Sequence, residues 1–311
     1  MYIYTDNTEF TKGFLNRQFD WKNVNLEEMP DYLSILSQKI FPSKDIYKSA
    51  VDNFTGWDYL FITESSNFSQ FDLLVEIGQK NLDITENILC VAGSGNNFHG
   101  FRNRNWESIF GNIHLSILLS PKMELENISS AIIMLSAVSL VETIDSLKEL
   151  NNKAAIKWVN DIIINNSKVG GIITQAQLEK QTVKNIEIGI GLNVMKTPQI
   201  ESDSIIPTAT SLYQEAVNKK SIKVYKVFNN LAEILYTNYE LLLSDGFDLI
   251  YNKYIKRSAI LGKKVRVITD PLHGENEVVI EGMVEHIGEN LQLNFYGKNR
   301  TISKGRLIYM E

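Results

Sequence analysis

The chain has 311 residues, 44% of them apolar, and a formal net charge of −6. That length suits two or three domains with a sizeable core, and the acidic balance argues against a mainly nucleic-acid-binding protein, which carries a basic surplus. A single cysteine, Cys90, excludes an intramolecular disulfide framework and fits a reducing compartment.

No basic region precedes an apolar stretch at the N-terminus, so no secretory leader is expected. No uninterrupted apolar run reaches membrane-spanning length, and the chain reads as soluble and cytoplasmic. Tyr2–Tyr4 reads as a short strand, and Pro30–Leu36 as the start of an amphipathic helix. Through Asp58 there are nine acidic and six basic residues. Phosphate contacts need lysine and arginine on one face, so this segment is expected to be structural padding or an interface, not a DNA reader.

Tyr59–Ile62 is a strand, and Thr63-Glu64-Ser65-Ser66-Asn67 closes it before a helix over about 68–79. Its hydroxyls and amide have a local use as helix caps. Ile88–Ala92 is the next strand, and Cys90 within it is an inert buried thiol. The stretch from Gly93 to Ser108 is rich in glycine and asparagine, which predicts a mobile loop. Arg102 and Arg104 alternate in it with small polar residues, a pattern that suits clamping phosphate and equally fits a solvated surface loop. Gly111–Leu119 is a strand in which His114 reads as a packed residue. Residues 127–150 form a helix with Ile128, Ile132, Leu135, Val138, Val141 and Ile144 on a core face.

Lys157-Trp158-Val159-Asn160-Asp161 then leads into Ile162–Ile164, the turn Asn165-Asn166-Ser167, and Lys168-Val169-Gly170-Gly171-Ile172-Ile173. The β-branched run reads as a buried strand. Two asparagines tolerate the left-handed backbone of a short hairpin turn. Lys168 opens the return strand, and the glycine pair lets a ligand lie against bare backbone. A lysine fixed there suits an anionic or carbonyl ligand. Ile186–Val194 alternates through Gly189 and Gly191 to Asn193, and Thr210 or Ser211 is a cap for a following helix. Residues 224–258 are helical with a break near Asp245-Gly246. Four strand candidates follow (Leu261–Val267, Glu277–Glu285, Leu291–Tyr296 and Arg300–Ile308), with turns at Asp270-Pro271, Gly288 and Gly297–Asn299; their close spacing predicts a small SH3-type barrel.

The string KWVNDIIINNSKVGGIITQ resembles the Lys-Trp-Pro-Asn-Asp … Lys-x-x-Gly-Ile signature of biotin protein ligases, with Val159 where the family has proline. Ser65-Ser66-Asn67 resembles the family's Ser-Thr-Asn motif. His99, Gly100, Asn103, Arg104 and Trp106 fit its arginine-glycine loop, and Gly189–Asn193 its Gly-x-Gly-x-Asn strand. Phe98 and Phe101 depart from the loop pattern; Phe101 stands where the family has an arginine holding the intermediate, and Arg102 is the candidate substitute. The resemblance runs over about 57–311.

It implies an α+β fold: a mixed-sheet biotin/lipoate ligase-like catalytic domain over 57–258, an SH3-like C-terminal domain over 259–311, and an extension over 1–56. It implies an AMP-forming ligase that makes biotinyl-5'-AMP from biotin and ATP with Mg2+, then transfers biotin to a lysine of a biotin carboxyl carrier protein, with a possible homodimer; some members of the family carry an N-terminal winged helix that binds DNA, and it is the charge of 1–58 that argues against a DNA partner here, with no membrane partner expected. Lys168, Arg102 and Arg104 would be catalytic. Ser65, Ser66, Asn67, Gly100, Lys168, Gly170 and Gly171 would hold biotin. His99, Arg102, Arg104, Trp106, Lys157, Asn160, Asp161 and Asn193 would hold ATP, with Mg2+ near Asp161. The rival readings are a lipoate-type ligase, whose Arg-Arg-x-Ser-Gly-Gly-Gly run is missing from the sequence, a non-catalytic biotin or adenylate sensor, and a scaffold protein that binds partners through the tail barrel.

Overall fold

The computed structural model describes residues 1–42, 45–52, 54–80, 82–200, 208–244, 246–269 and 277–310. Its main sheet is built from β1 (Tyr2–Thr5), β2 (Lys22–Asn23), β3 (Tyr47–Ala50), β4 (Tyr59–Ser66), β5 (Ile88–Gly95), β6 (Ile113–Leu119), β7 (Met123–Glu124), β8 (Ala154–Lys157), β9 (Asp161–Ile164), β10 (Ser167–Glu179) and β11 (Thr182–Leu192). The order across it is β2-β3-β1-β4-β5-β6-β11-β10-β9-β8, with β7 pairing the far end of β11. The β1/β4 and β4/β5 pairs are parallel and the other pairs antiparallel, so the sheet is mixed. A second, antiparallel sheet holds β12 (Lys264–Ile268), β13 (Val278–Ile287), β14 (Leu293–Phe295) and β15 (Arg306–Tyr309) in the order β14-β13-β12-β15.

Seven helices accompany these sheets among the described residues: α1 (Thr8–Leu15), α2 (Asp31–Ile40), α3 (Gln70–Gln79), α4 (Ile128–Asp145), α5 (Leu212–Glu215), α6 (Val224–Ser244) and α7 (Phe247–Lys256). Alternation along the strands divides the core in two. Leu60, Ile62, Leu89, Val91, Leu115 and Ile190 join the cluster of α1, α4 and α6 on one face. Phe61, Ile88, Cys90 and Leu118 join that of α2 and α3 on the other. By length and mean hydropathy α4 is long and apolar enough to cross a membrane, although serines, Thr143 and Glu142 interrupt its apolar run, and 78% of it is buried inside the protein as a core helix. Its polar side chains need no outside partner: Ser136, Ser139 and Thr143 each donate to a carbonyl one turn back, at 2.7 Å.

The N-terminal segment does not stand apart from the 57–258 region. β1 lies between β3 and β4, and Asn7 Nδ2 donates to Glu64 Oε2 at 2.7 Å. Alternation of Tyr4, Ile3 and their neighbours between the two core faces explains why this stretch joins the sheet. The long C-terminal helix breaks as expected, with Gly246 at φ +86°; Asp245 lies outside the described residues, as does the Asp270-Pro271 turn. The last strand begins at Arg306, later than Arg300. Before it the chain pairs at Ile302, which exchanges backbone hydrogen bonds with Leu293 of β14, and the turn through Gly305, at φ +138° with no room for a Cβ against the Ile268 carbonyl, then carries it over to β12.

Candidate active site

The hairpin forms as the sequence predicts. Ile164 and Ser167 pair across Asn165 (φ 50°) and Asn166 (φ 63°), both left-handed. One feature of it has no sequence signal. The register between β9 and β10 shifts between Lys168 and Gly170, a β-bulge. Beyond the shift Lys168 pairs with Ile163, and before it Gly171 pairs with Asp161. Ile163 and Asp161 share a face, so the bulge brings Lys168 onto the face of Gly171, where regular alternation would have put it on the opposite side.

The face that results carries a continuous row. Ala92, His114, Gly191, Gly171, Asp161 and Lys157 are successive partners across β5, β6, β11, β10, β9 and β8. The two glycines make its floor. A Cβ on Gly191 would lie 2.3 Å from two indole atoms of Trp106, and one on Gly171 would lie 3.1 Å from the Lys168 amine. Trp106 thus lies flat on the floor, and Lys168 Nζ stands 5.7 Å from its ring. Trp106 Nε1 donates to His114 Nδ1 at 3.2 Å, and His114 Nε2 donates to the Ile109 carbonyl at 3.2 Å. That tautomer suits the buried ring, whose burial pushes its pKa down to about 4 despite the Ile109 bond.

Charge gathers at one end of the row. Lys168 Nζ is 2.5 Å from Asp161 Oδ1, each side chain about a quarter exposed. Lys157 is 8% exposed, with its amine 5.6 Å from the Tyr309 ring. Burial lowers the Lys157 pKa; Asp161 works against this, and Lys168 and Arg306 add to it. Tyr309 Oη is buried with no hydrogen-bond partner among the described residues, and burial together with Asp161 pushes its pKa up to about 12. Sequence reading missed Tyr309 and Arg306, because only the closure of β12 on β15 brings the C-terminal sheet to this corner. Trp158 Nε1 donates to the Leu291 carbonyl at 2.7 Å and Tyr254 Oη to the Val159 carbonyl at 2.9 Å, which fixes the turn before Asp161. Asn160 Nδ2 donates to the Ile172 carbonyl at 2.5 Å, ordering the hairpin.

Other expected residues sit differently. Gly170 faces away from the floor: a Cβ there would meet Leu140 of α4 and the Gly191 carbonyl, each at 3.0 Å, so its role is close packing. Asn193 is buried; its amide donates to the Thr210 carbonyl at 3.0 Å and its oxygen accepts from Asn112 at 3.4 Å, so an adenine contact would have to displace part of this lock. Ser66 is buried and donates to the Phe68 carbonyl, while Ser65 and Asn67 are exposed. The cap of α3 is Ser69 instead, accepting from Asp72 N. Ser66 lies four strands from Lys168, about 19 Å at about 4.8 Å per strand, so one ligand touching both must be elongated.

The 93–108 loop is folded as a short hairpin. Gly100 N donates to the Arg104 carbonyl at 2.7 Å and Trp106 N to the Phe98 carbonyl at 2.9 Å. Phe98 turns inward against Gly95 and His114. Phe101 is 58% exposed, and Arg102 and Arg104 stand with it at the exposed tip. His99 Nε2 is 2.9 Å from Asp72 on α3. Partial burial opposes its charge, but the Gly100 carbonyl and Asp72 outweigh this and raise its pKa.

Three comparisons bear on this arrangement. The bifunctional ligase/repressor BirA of Bacillus subtilis (strain 168) is 36% identical over 140 residues, which is 45% of this chain and 42% of that protein; the chain thus spans less than half of it. The biotin–[acetyl-CoA-carboxylase] ligase of Paracoccus denitrificans is 28% identical over 181 residues, 56% of this chain and 73% of that protein. The structure of biotin protein ligase from Aquifex aeolicus in complex with biotin and ATP superposes with a TM-score of 0.57 at 22% identity, covering 80% of this chain and 97% of that one, so the fold is shared. The sequence profile of the biotin/lipoate A/B protein ligase family matches residues 85–193, the span that holds the loop, the glycine floor, the charged hairpin and the start of the Asn193 lock.

Proposed function

We propose that this chain is an AMP-forming biotin protein ligase. The observation that carries it is the placement of Lys168 by a bulge onto a glycine floor, beside Asp161 and over Trp106. An ammonium held against bare backbone is suited to an acid group meeting a phosphate. A biotin carboxylate oxygen attacks the α-phosphorus of ATP, and pyrophosphate leaves. A lysine amine of a carrier protein then attacks the acyl carbon of the mixed anhydride, and AMP leaves. Negative charge shifts at one centre in both steps, so a fixed cation supplies catalysis without a covalent enzyme intermediate.

Lys168 neutralises the carboxylate and α-phosphate, and Asp161 holds it when no ligand is present. Lys157 and Asn160 keep this corner rigid. Arg102 and Arg104 on the loop tip bind phosphate. Ser65, Ser66 and Asn67, at the end of β4 beyond the Thr63 partner of Ala92, pair with the polar ring of an elongated acid. Among the described residues no group of three or more histidine, cysteine or acidic side chains is gathered as a metal site, and Asp161 is already paired. A resident metal therefore does not fit, and Mg2+ enters as the counter-ion of ATP.

The same reading makes the partner a biotin carboxyl carrier protein or domain and the compartment cytoplasmic, with a possible homodimer. It assigns 57–258 to catalysis and 259–311 to an SH3-like unit. An acidic N-terminal segment folded into the sheet supports a protein that does not read DNA.

Biotin-dependent exchange of labelled pyrophosphate into ATP tests the reading, with lipoate as the parallel acid. Exchange with biotin supports it, and Lys168→Ala should lower that exchange by orders of magnitude while the protein still folds cooperatively, with no more than the about 2–3 kcal/mol loss of a broken Asp161 pair. Exchange with lipoate alone, or near-normal exchange in the variant, refutes it.

A further inference from the structure

The 93–108 loop leaves the sheet at the end of β5 and returns at β6. Both its feet are touched by one side chain from outside the matched family segment, Phe10 of α1. At the outgoing foot the Phe10 ring closes on Gly93: a Cβ there would lie 2.5 Å from Phe10 Cζ and 3.2 Å from Cε2. At the returning foot Phe10 meets Phe110 edge-on, with ring centroids 5.3 Å apart. Gly93 follows Val91 on the α1/α4/α6 face of β5, so Phe10 braces the loop from behind, opposite the row that carries His114 and Asp161.

The helix that presents Phe10 is itself tied to the strand beside the loop. Asn7 Oδ1 accepts from Phe10 N and caps α1, while Asn7 Nδ2 donates to Glu64 Oε2 at 2.7 Å. One asparagine therefore fixes the start of α1 and its distance from β4. Phe14, one turn on, meets the Phe10 ring edge-on at 5.5 Å and packs on Phe228 of α6 at 5.4 Å, so it backs Phe10 against the core.

The geometry points to Phe10 as a positioning residue, and to the N-terminal segment as a buttress that sets the direction in which the arginine loop leaves the sheet. This rests on the ligase reading, in which that loop carries the phosphate-binding arginines. An aromatic wedge against a glycine fits the role: Gly93 lets the ring come under the backbone, and the ring keeps both feet of the loop at a fixed spacing.

Phe10→Ala tests this, with Leu15→Ala, buried at the far end of α1 and five residues from Phe10, as a control that loosens the same helix. In Phe10→Ala, amide hydrogen exchange over residues 96–110 should rise by ten-fold or more, and the KM for ATP in biotin-dependent exchange should rise several-fold more than kcat falls. Leu15→Ala should lower the thermal midpoint and leave both readouts near the parent's. Unchanged exchange over 96–110 in Phe10→Ala, or an equal rise in Leu15→Ala, overturns the buttress. The hydrogen-exchange arm needs no activity, so a parent protein without biotin-dependent turnover would refute the ligase reading and leave the buttress to be judged on its own.

Discussion

Asp161→Asn isolates the electrostatics of the charged corner. Asp161 stands between a partly exposed lysine, Lys168, and a buried one, Lys157. The substitution keeps the shape and removes the negative charge. Stripping the partner from a buried ion pair costs about 3–5 kcal/mol; with a quarter of each side chain exposed, about 2–3 kcal/mol is expected here. The sign with pH follows from Lys157. Its folded pKa already lies below 10.5, chiefly through burial, and Asp161 is what holds it up. Without that carboxylate it falls further, so the folded protein binds fewer protons than the unfolded one in the window up to 10.5. Stability must then rise with pH in that window, and the penalty of the variant must shrink between pH 7 and pH 10. Chemical denaturation of parent and variant at several pH values measures it. Lys157→Met in the variant background should recover most of the loss, because it removes the stranded charge. A penalty that is flat across that range, or a double variant no more stable than Asp161→Asn alone, would refute the argument.

Gly191→Ala should evict Trp106 from the floor, lower stability by about 1–3 kcal/mol and break the Trp106–His114 bond; a red shift in tryptophan emission and loss of biotin-dependent exchange are the readouts. Glu187→Gln should stabilise the protein increasingly from pH 5 to pH 8. Burial raises the Glu187 pKa to about 8, so the parent loses up to about 1.4 kcal/mol per pH unit above 4.5, and a variant with the parent's pH slope would contradict this. The His99–Asp72 tie has the opposite partner logic: a raised histidine pKa makes it complete below 6.5 and lost as pH rises through the raised value. Limited proteolysis of the 96–105 loop should therefore quicken from pH 6 to pH 8 in the parent, and Asp72→Asn should make it fast at both.

Much of the site was legible because its chemistry is local. Asn165-Asn166 and the glycine pair carry their backbone needs in their own residue types, and Lys168 follows the turn at fixed spacing. The strands 59–62, 88–92 and 111–119 are apolar enough to read directly. What was not legible depends on partners distant in sequence. The bulge at Lys168 is a matter of register against β9 and leaves no mark in composition. Gly170 and Gly171 look alike in sequence, yet pleat parity sends one to Leu140 and the other to the floor. In the first fifty residues β1 and the start of α2 were legible, but not that β1 inserts between β3 and β4, since strand partners leave no mark in a four-residue pattern. Tyr309 gave no hint of its position over Lys157, since a tyrosine in a late strand is ordinary core.

The position of the opening follows from how one strand is covered. Along β11 every second residue faces α3, and the cover changes rung by rung. At Glu187 it is helix: a Cβ on Gly78 would lie 2.4 Å from the Glu187 carboxylate, so α3 can sit this low only because Gly78 has no side chain. At Gly189 it is the first turn of α3, with Phe71 and Ile173 over the glycine. At Gly191 α3 has ended, and the nearest atoms over the floor belong to Trp106 from the loop. A helix cannot be peeled from a sheet without breaking its core, but a loop side chain can be moved. The third rung is therefore the one whose cover can shift, and it is the rung whose neighbours are His114, Gly171 and Asp161. The length of α3, fixed by the Ser69 cap, sets the boundary. Lengthening the helix by one turn would close the rung that the bulge at Lys168 has furnished with a charge.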